Sequence, residues 1–85
     1  MPYQIFIKSS AQKESTKIPK DQKELIRNEI KLLAINPRPD GVKKLKGLEN
    51  FYRIRIGDYR VIYTIDDPHK VVRVLSVLHR KEAYR

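Results

Sequence analysis

Phe51-Tyr52-Arg53-Ile54-Arg55-Ile56-Gly57-Asp58-Tyr59-Arg60-Val61-Ile62-Tyr63 is two alternating segments joined at Gly57-Asp58. In a strand every second side chain points to the same face. Arg53 and Arg55 therefore share one face, and Tyr52, Ile54 and Ile56 lie on the other. Two residues, Gly and Asp, are the length of a tight β-hairpin loop. Arg60 follows the turn at once, so three guanidinium groups gather on one small hairpin. Arginine suits forked contacts with phosphate. The run is either a solvated strand face or a phosphate grip.

Outward from the hairpin, the flanking segments supply a fold. Asp66-Asp67-Pro68-His69 reads as a turn, and Val71 to Leu78 as a nearly continuous apolar strand, hence a central one. Arg80 to Arg85 is a polar tail, and Val42 to Leu48 a basic connector. Near the start, Tyr3-Gln4-Ile5-Phe6-Ile7 is a β-prone run. Ser9 or Ser10 can cap a helix whose inward stripe is Ala11, Ser15 and Ile18. Ser15 is out of place there, since a missing Leu-sized group at a buried site costs roughly 2–4 kcal/mol. Pro19 suits the first turn of a second helix, and Asp21 complements its dipole. Leu25, Ile26, Glu29, Ile30 and Leu33 mark one face of it, and Leu32, Ala34 and Ile35 broaden the apolar side. Asn36-Pro37-Arg38-Pro39-Asp40-Gly41 ends it. The order is βααβββ. The expected fold is α+β, a two-helix hairpin on one face of a four-stranded twisted, mostly antiparallel sheet, in a single domain spanning residues 1–85.

Composition narrows the partners. The chain has 85 residues and a formal net charge of +9. Polyanions are the expected partners, nucleic acid first. Between Lys43 and Arg60 six basic residues face two acidic ones, so basicity collects in the C-terminal half. There is no cysteine, which removes disulfides and thiolate metal sites, and His69 and His79 are too few for a structural metal centre. No metal and no cofactor is expected. No long apolar run suggests a leader or a membrane span, so a cytoplasmic protein without a membrane partner is the expectation.

The order βααβββ, a helix after Lys17-Ile18-Pro19, the phrase Lys44-Leu45-Lys46-Gly47, the hairpin itself, and a closing Val77-Leu78-His79-Arg80 with Tyr84 together resemble the RelE/ParE toxin superfamily, most closely its RelE branch. The resemblance spans almost the whole chain and is strongest from Leu45 to Tyr84. It implies a fold related to microbial ribonucleases. It also implies the toxin of a type II toxin–antitoxin pair, which cleaves messenger RNA in the A site of the 70S ribosome and is neutralised by a cognate antitoxin. By the family pattern the catalytic positions are Arg53, Arg55, Arg60, Arg80 and Tyr84.

Cleaving RNA without a metal needs a base for the 2′-hydroxyl, positive charge for the phosphorane, and an acid for the departing 5′-oxygen; the product is a 2′,3′-cyclic phosphate. The arginines suit the second task. They do not suit the first, because a guanidinium does not give up its proton in a protein. Relatives that carry lysine on the strand holding Arg53 and Arg55 have an alternative that this chain lacks. His79 is the titratable candidate for proton transfer, and Tyr84 could stack on a base or orient the 2′-hydroxyl. Lys43, Lys44 and Lys46, with Arg53 and Arg55, read as contacts to RNA or ribosomal phosphate. The competing readings are a ParE-like poison of DNA gyrase and a catalytically weak module of the same fold that serves only to bind an antitoxin. Leu32 and Ile35 would suit an antitoxin carrying acidic residues and an amphipathic helix.

Overall fold

A computed structural model describes residues 2–81. The elements are β1 (Gln4–Ile7), α1 (Ser9–Ser15), α2 (Lys20–Leu32), β2 (Lys43–Lys44), β3 (Phe51–Ile56), β4 (Tyr59–Asp66) and β5 (Val71–His79). The sheet runs β1-β5-β4-β3-β2, with β1 parallel to β5 and every other pair antiparallel. The helices cover one face. Ala11, Ile18, Ile26, Ile30 and Leu33 pack there against Tyr52, Ile54, Ile56, Tyr59, Val61, Tyr63, Ile65, Val72, Val74 and Val77.

The sheet has five strands rather than the expected four. Lys43 and Lys44, read as connector, pair with Arg53 and Tyr52 as a two-residue edge strand. Two lysines carry no alternation, so nothing in their pattern marked a strand. The apolar strand β5, expected at the centre, has a strand on either side, but the middle place of the five belongs to β4.

The hairpin forms in the expected register, Ile56 opposite Tyr59 and Arg55 opposite Arg60. Gly57 takes a φ of 59°, the positive value that a type II′ turn requires at its first central position. Tyr52, Ile54 and Ile56 are buried on the helix side.

Both helices depart from expectation in detail. Neither Ser9 nor Ser10 caps α1: Lys8 holds the N-cap position and makes no side-chain cap. Ser10 instead donates its hydroxyl to the Leu75 carbonyl at 3.1 Å. Ser15 is half-buried, and its hydroxyl donates to the Ala11 carbonyl one turn back at 2.8 Å, which satisfies it where an aliphatic group was expected. Pro19 sits at the N-cap of α2 rather than inside its first turn. Ile26, Ile30 and Leu33 form the buried stripe, whereas Leu25 faces solvent.

β5 carries its core residues at an uneven spacing. Val72, Val74 and Val77 are all buried on the helix side. The step from Val74 to Val77 is odd, so regular alternation would put them on opposite faces. A bulge resolves this: Ile62 pairs with Ser76 and Tyr63 with Val74, leaving Leu75 as the extra residue. β1 stops pairing at Ile7 opposite Val74. Beyond that point α1 takes over the edge of β5. Ser10 holds the Leu75 carbonyl, and the Glu14 carboxylate accepts the Val77 N–H at 3.1 Å.

At the opposite end of the sheet Asp67 ties three segments together. It receives the Arg38 guanidinium at 2.8 Å and the Tyr3 hydroxyl. Arg38 also lies over the Tyr52 ring, 5.2 Å from its centroid, and donates to the Tyr52 hydroxyl. Behind it the Tyr63 hydroxyl donates to the Pro37 carbonyl at 2.8 Å.

Two expected outcomes follow from these contacts. Glu14→Ala strands the Val77 N–H and lowers stability by about 1–3 kcal/mol, whereas Glu14→Gln keeps an acceptor and loses less; urea denaturation measures both. The Arg38 bond, followed by that of Tyr3, holds the Asp67 carboxyl down at about 2. The stability from that depressed value is present above the ordinary carboxylate range, near pH 4, and is lost as pH falls towards 2. Urea midpoints for Asp67→Asn therefore decline less steeply than those of the parent across that window.

Candidate nucleic-acid interface

Directly opposed residues in an antiparallel pair point to the same face. The register of the hairpin thus stacks Arg55, Arg60 and Leu78 in one row across β3, β4 and β5, on the face away from the helices. Arg53, Ile62 and Ser76 form the next row, and Lys43 of β2 extends it. Four basic side chains therefore line up because alternation has put Tyr52, Ile54, Ile56, Tyr59 and Val61 on the opposite, apolar face.

The end of this face is concave. Arg55, Gly57, Asp58, Arg60 and Arg80 line a cleft of about 290 Å³. Arg80 reaches it because its N–H donates to the Asp58 carbonyl at 2.8 Å, which lays the end of β5 on the hairpin turn. Arg60 is 6% exposed and forms the floor. An arginine so enclosed presents its guanidinium in a settled position, whereas Arg55 at the rim is exposed. Among the described lining residues three cations accompany the carboxylate of Asp58, a lining that suits an anion of small size and several oxygens, and guanidinium forks match phosphate oxygens in pairs.

The remaining sequence candidates divide. Arg53 and Lys43 share the face of the cleft. Lys44 pairs with Tyr52 and so points the other way. Lys46 belongs to the loop after β2, where Lys44 to Glu49 form a separate hollow. His79 does not join the arginines. It pairs with Tyr59, its ring meets the Tyr59 ring edge-on at 5.2 Å between centroids, and it lines a hollow on the helix side with Glu14, Lys17 and Ile18. Its position follows from alternation, because it directly precedes Arg80. Tyr84 lies outside the described residues. Asp58, named from the sequence only as a turn residue, also lines the cleft; its place at the tip of the turn beside Arg60 was the available signal. Asp67 is paired with Arg38 and is not among the cleft residues.

The family model described as the ParE toxin of the type II toxin–antitoxin system parDE matches residues 5–84. The chain belongs to the RelE/ParE toxin superfamily. Its relatives place it on the RelE-like branch. It is 32% identical over 85 residues to the toxin RelE of Mycobacterium tuberculosis, covering 99% of this chain and 88% of that one. The archaeal RelE–RelB complex of Pyrococcus horikoshii OT3 superposes with a TM-score of 0.85 at 32% identity, over 94% of this chain and 97% of the other. A mutant of the E. coli toxin RelE in the free state superposes with a TM-score of 0.81 at 27% identity, over 99% and 90%. The chain is thus a type II toxin of RelE kind, with the helix hairpin, mixed sheet and size of that family.

If the cleft and its row hold phosphates, RNA binding by the free toxin weakens linearly as salt rises on a log–log plot. Arg55→Ala reduces that slope by about 0.7, the contribution of one single-stranded phosphate contact. Fluorescence anisotropy of a short labelled RNA across a salt series measures it, and a slope indifferent to Arg55 removes that residue from the interface.

Proposed function

We propose that this toxin is a ribosome-dependent endoribonuclease that cuts messenger RNA in the A site, and that its arginine cleft binds the scissile phosphate. The observation that carries the reading is the convergence of Arg55, Arg60 and Arg80 on one cleft in a toxin of RelE kind. The 2′-oxygen attacks the adjacent phosphorus, the bond to the 5′-oxygen breaks, and a 2′,3′-cyclic phosphate and a 5′-hydroxyl result. Negative charge grows on the non-bridging oxygens during this step, and enclosed guanidinium groups stabilise it most where water is excluded. Arg60 on the floor serves this charge. Arg55 and Arg80 close on the phosphate from the rim. Arg53 and Lys43, along the same face, hold neighbouring phosphates and set the path of the strand.

The guanidinium groups do not accept the 2′-hydroxyl proton, and His79 stands on the other side of the sheet. The reaction therefore draws its rate from alignment and charge stabilisation, with a weak base sufficing once the ribosome holds the message in line. Tyr84 remains the family-pattern candidate for stacking on the base beside the cut.

The partner that restrains the toxin is an antitoxin. Structural relatives in Pyrococcus horikoshii and Mycobacterium tuberculosis are RelE–RelB and RelBE2 toxin–antitoxin complexes. Here Leu32 and Ile35 of the α2 end are 55% and 77% exposed on a chain of net charge +9, which suits a partner bearing acidic and apolar side chains. No helix among the described residues is long and apolar enough to cross a membrane.

Toeprinting of programmed ribosomes tests the assignment. Wild-type toxin produces a new message end in the A-site codon. Replacing Arg60 and Arg80 together by Ala slows the cut by at least about 100-fold, the usual effect of removing charge stabilisation from a transition state. Cleavage indifferent to both losses would sink the cleft as the site. Induced cells that accumulate DNA breaks before translation stops would point to gyrase instead.

A further inference from the structure

We propose that His79 is a positioning residue for Arg80, acting through the backbone amide of Lys81, and that a proton on its imidazole releases this hold. The functional part of the proposal rests on the reading of the cleft given above.

His79 and Arg80 are consecutive and serve opposite sides of the sheet. The His79 ring is braced edge-on by Tyr59, itself part of the buried core. Its Nδ1 accepts the N–H of Lys81 at 3.2 Å. Arg80 is therefore bracketed. Its own N–H is held by the Asp58 carbonyl at 2.8 Å, and the next N–H along the chain is held by His79. The two bonds fix the backbone on both sides of the Arg80 Cα, and with it the direction in which the Arg80 side chain leaves towards the cleft. A core contact on one face is thus converted into the placement of a cation on the other.

An imidazole nitrogen accepts a hydrogen bond only when it carries no proton. The ring that holds Lys81 is neutral, with its proton on Nε2. A second proton makes Nδ1 a donor, and two N–H groups then face each other at Lys81. Among the described residues the charged and titratable groups around the ring are Glu14 of α1, Lys17 just after that helix, Tyr59 at the start of β4, Asp58 in the turn before it, and Arg80 and Lys81 on its own segment. Glu14 is engaged by the Val77 N–H, and Lys17 has the same sign as a protonated ring. Loss of the Lys81 bond is then the main structural consequence of protonation.

Two variants separate this role from packing and from proton transfer. His79→Phe keeps an aromatic edge against Tyr59 and deletes the acceptor. His79→Asn supplies a carbonyl acceptor near the place of Nδ1 and does not titrate. Lys81 amide exchange is read by NMR in the intact free toxin over a pH series. Message cleavage on ribosomes is read over the same range. In the wild type the Lys81 amide exchanges more slowly than its intrinsic rate at the alkaline end, and the protection is lost at the acid end. His79→Phe lacks it throughout, while His79→Asn keeps it throughout. Cleavage by His79→Phe is slowed roughly tenfold at neutral pH, as a misplaced catalytic group slows a reaction, with an unchanged thermal midpoint. His79→Asn rescues the rate and removes the acid-side decline of the wild type. Equal Lys81 exchange in wild type and His79→Phe overturns the proposal. So does an His79→Asn protein with a protected Lys81 amide that cleaves as slowly as His79→Phe, because the ring would then act on a proton. Should wild-type toxin leave ribosome-bound message intact, the cleavage reading falls, and the exchange data still decide whether His79 holds Lys81.

Discussion

The structure depends on the register set by the Gly57-Asp58 turn. A strand has a period of two, so a slip of one residue would send Tyr52, Ile54 and Ile56 to solvent and Arg53 and Arg55 into the core. Burying an unpaired guanidinium there is prohibitive, and losing three large apolar groups removes much of the helix-facing layer. Core formation and site formation are therefore one choice. The alternation that draws β3 and β4 onto the helices places Arg53, Arg55 and Arg60 on the far side. The positive φ of Gly57 is the local condition that lets the turn close in only two residues.

Much of this was legible in the sequence, for a physical reason. From Tyr52 through the turn to Val61 polar and apolar residues alternate, so facing, pairing and the Arg55–Arg60 row could be read directly. What escaped reading had no periodic signal. β2 is two lysines whose strand character comes only from the partner they pair with. The bulge at Leu75 appears in the sequence as an unbroken apolar run, in which facing cannot be told from composition. His79 drew attention through its chemistry, while its side of the sheet was decided by pairing with Tyr59. Ser15 looked like a packing defect because a hydroxyl bonded to the carbonyl one turn back is invisible to a hydrophobic pattern.

The bulge also shows how so short a chain completes its sheet. β1 is too brief to cover all of β5, and the uncovered stretch begins where β5 changes alternation. A helix of seven residues supplies the missing partners through two polar side chains, Ser10 and Glu14. Their value lies less in the strength of each bond than in the partners they give the Leu75 carbonyl and the Val77 N–H along that edge. The Asp67 clasp does similar work at the other end, joining the start of β1, the loop after α2 and the turn before β5.

The parallel pairing of β1 with β5 has a consequence for how the toxin comes into being. Gln4 must find Val71, and Ile7 must find Val74, across nearly the full span of the described chain. Contacts so distant in sequence close late, after the chain entropy of the intervening loop has been overcome. During synthesis β1 and both helices emerge long before their partner strand exists. Arg80 follows directly after that strand, so the last of the cleft's arginines is translated after every strand of the sheet. The arginine cleft of this sequence and its native topology are therefore completed together.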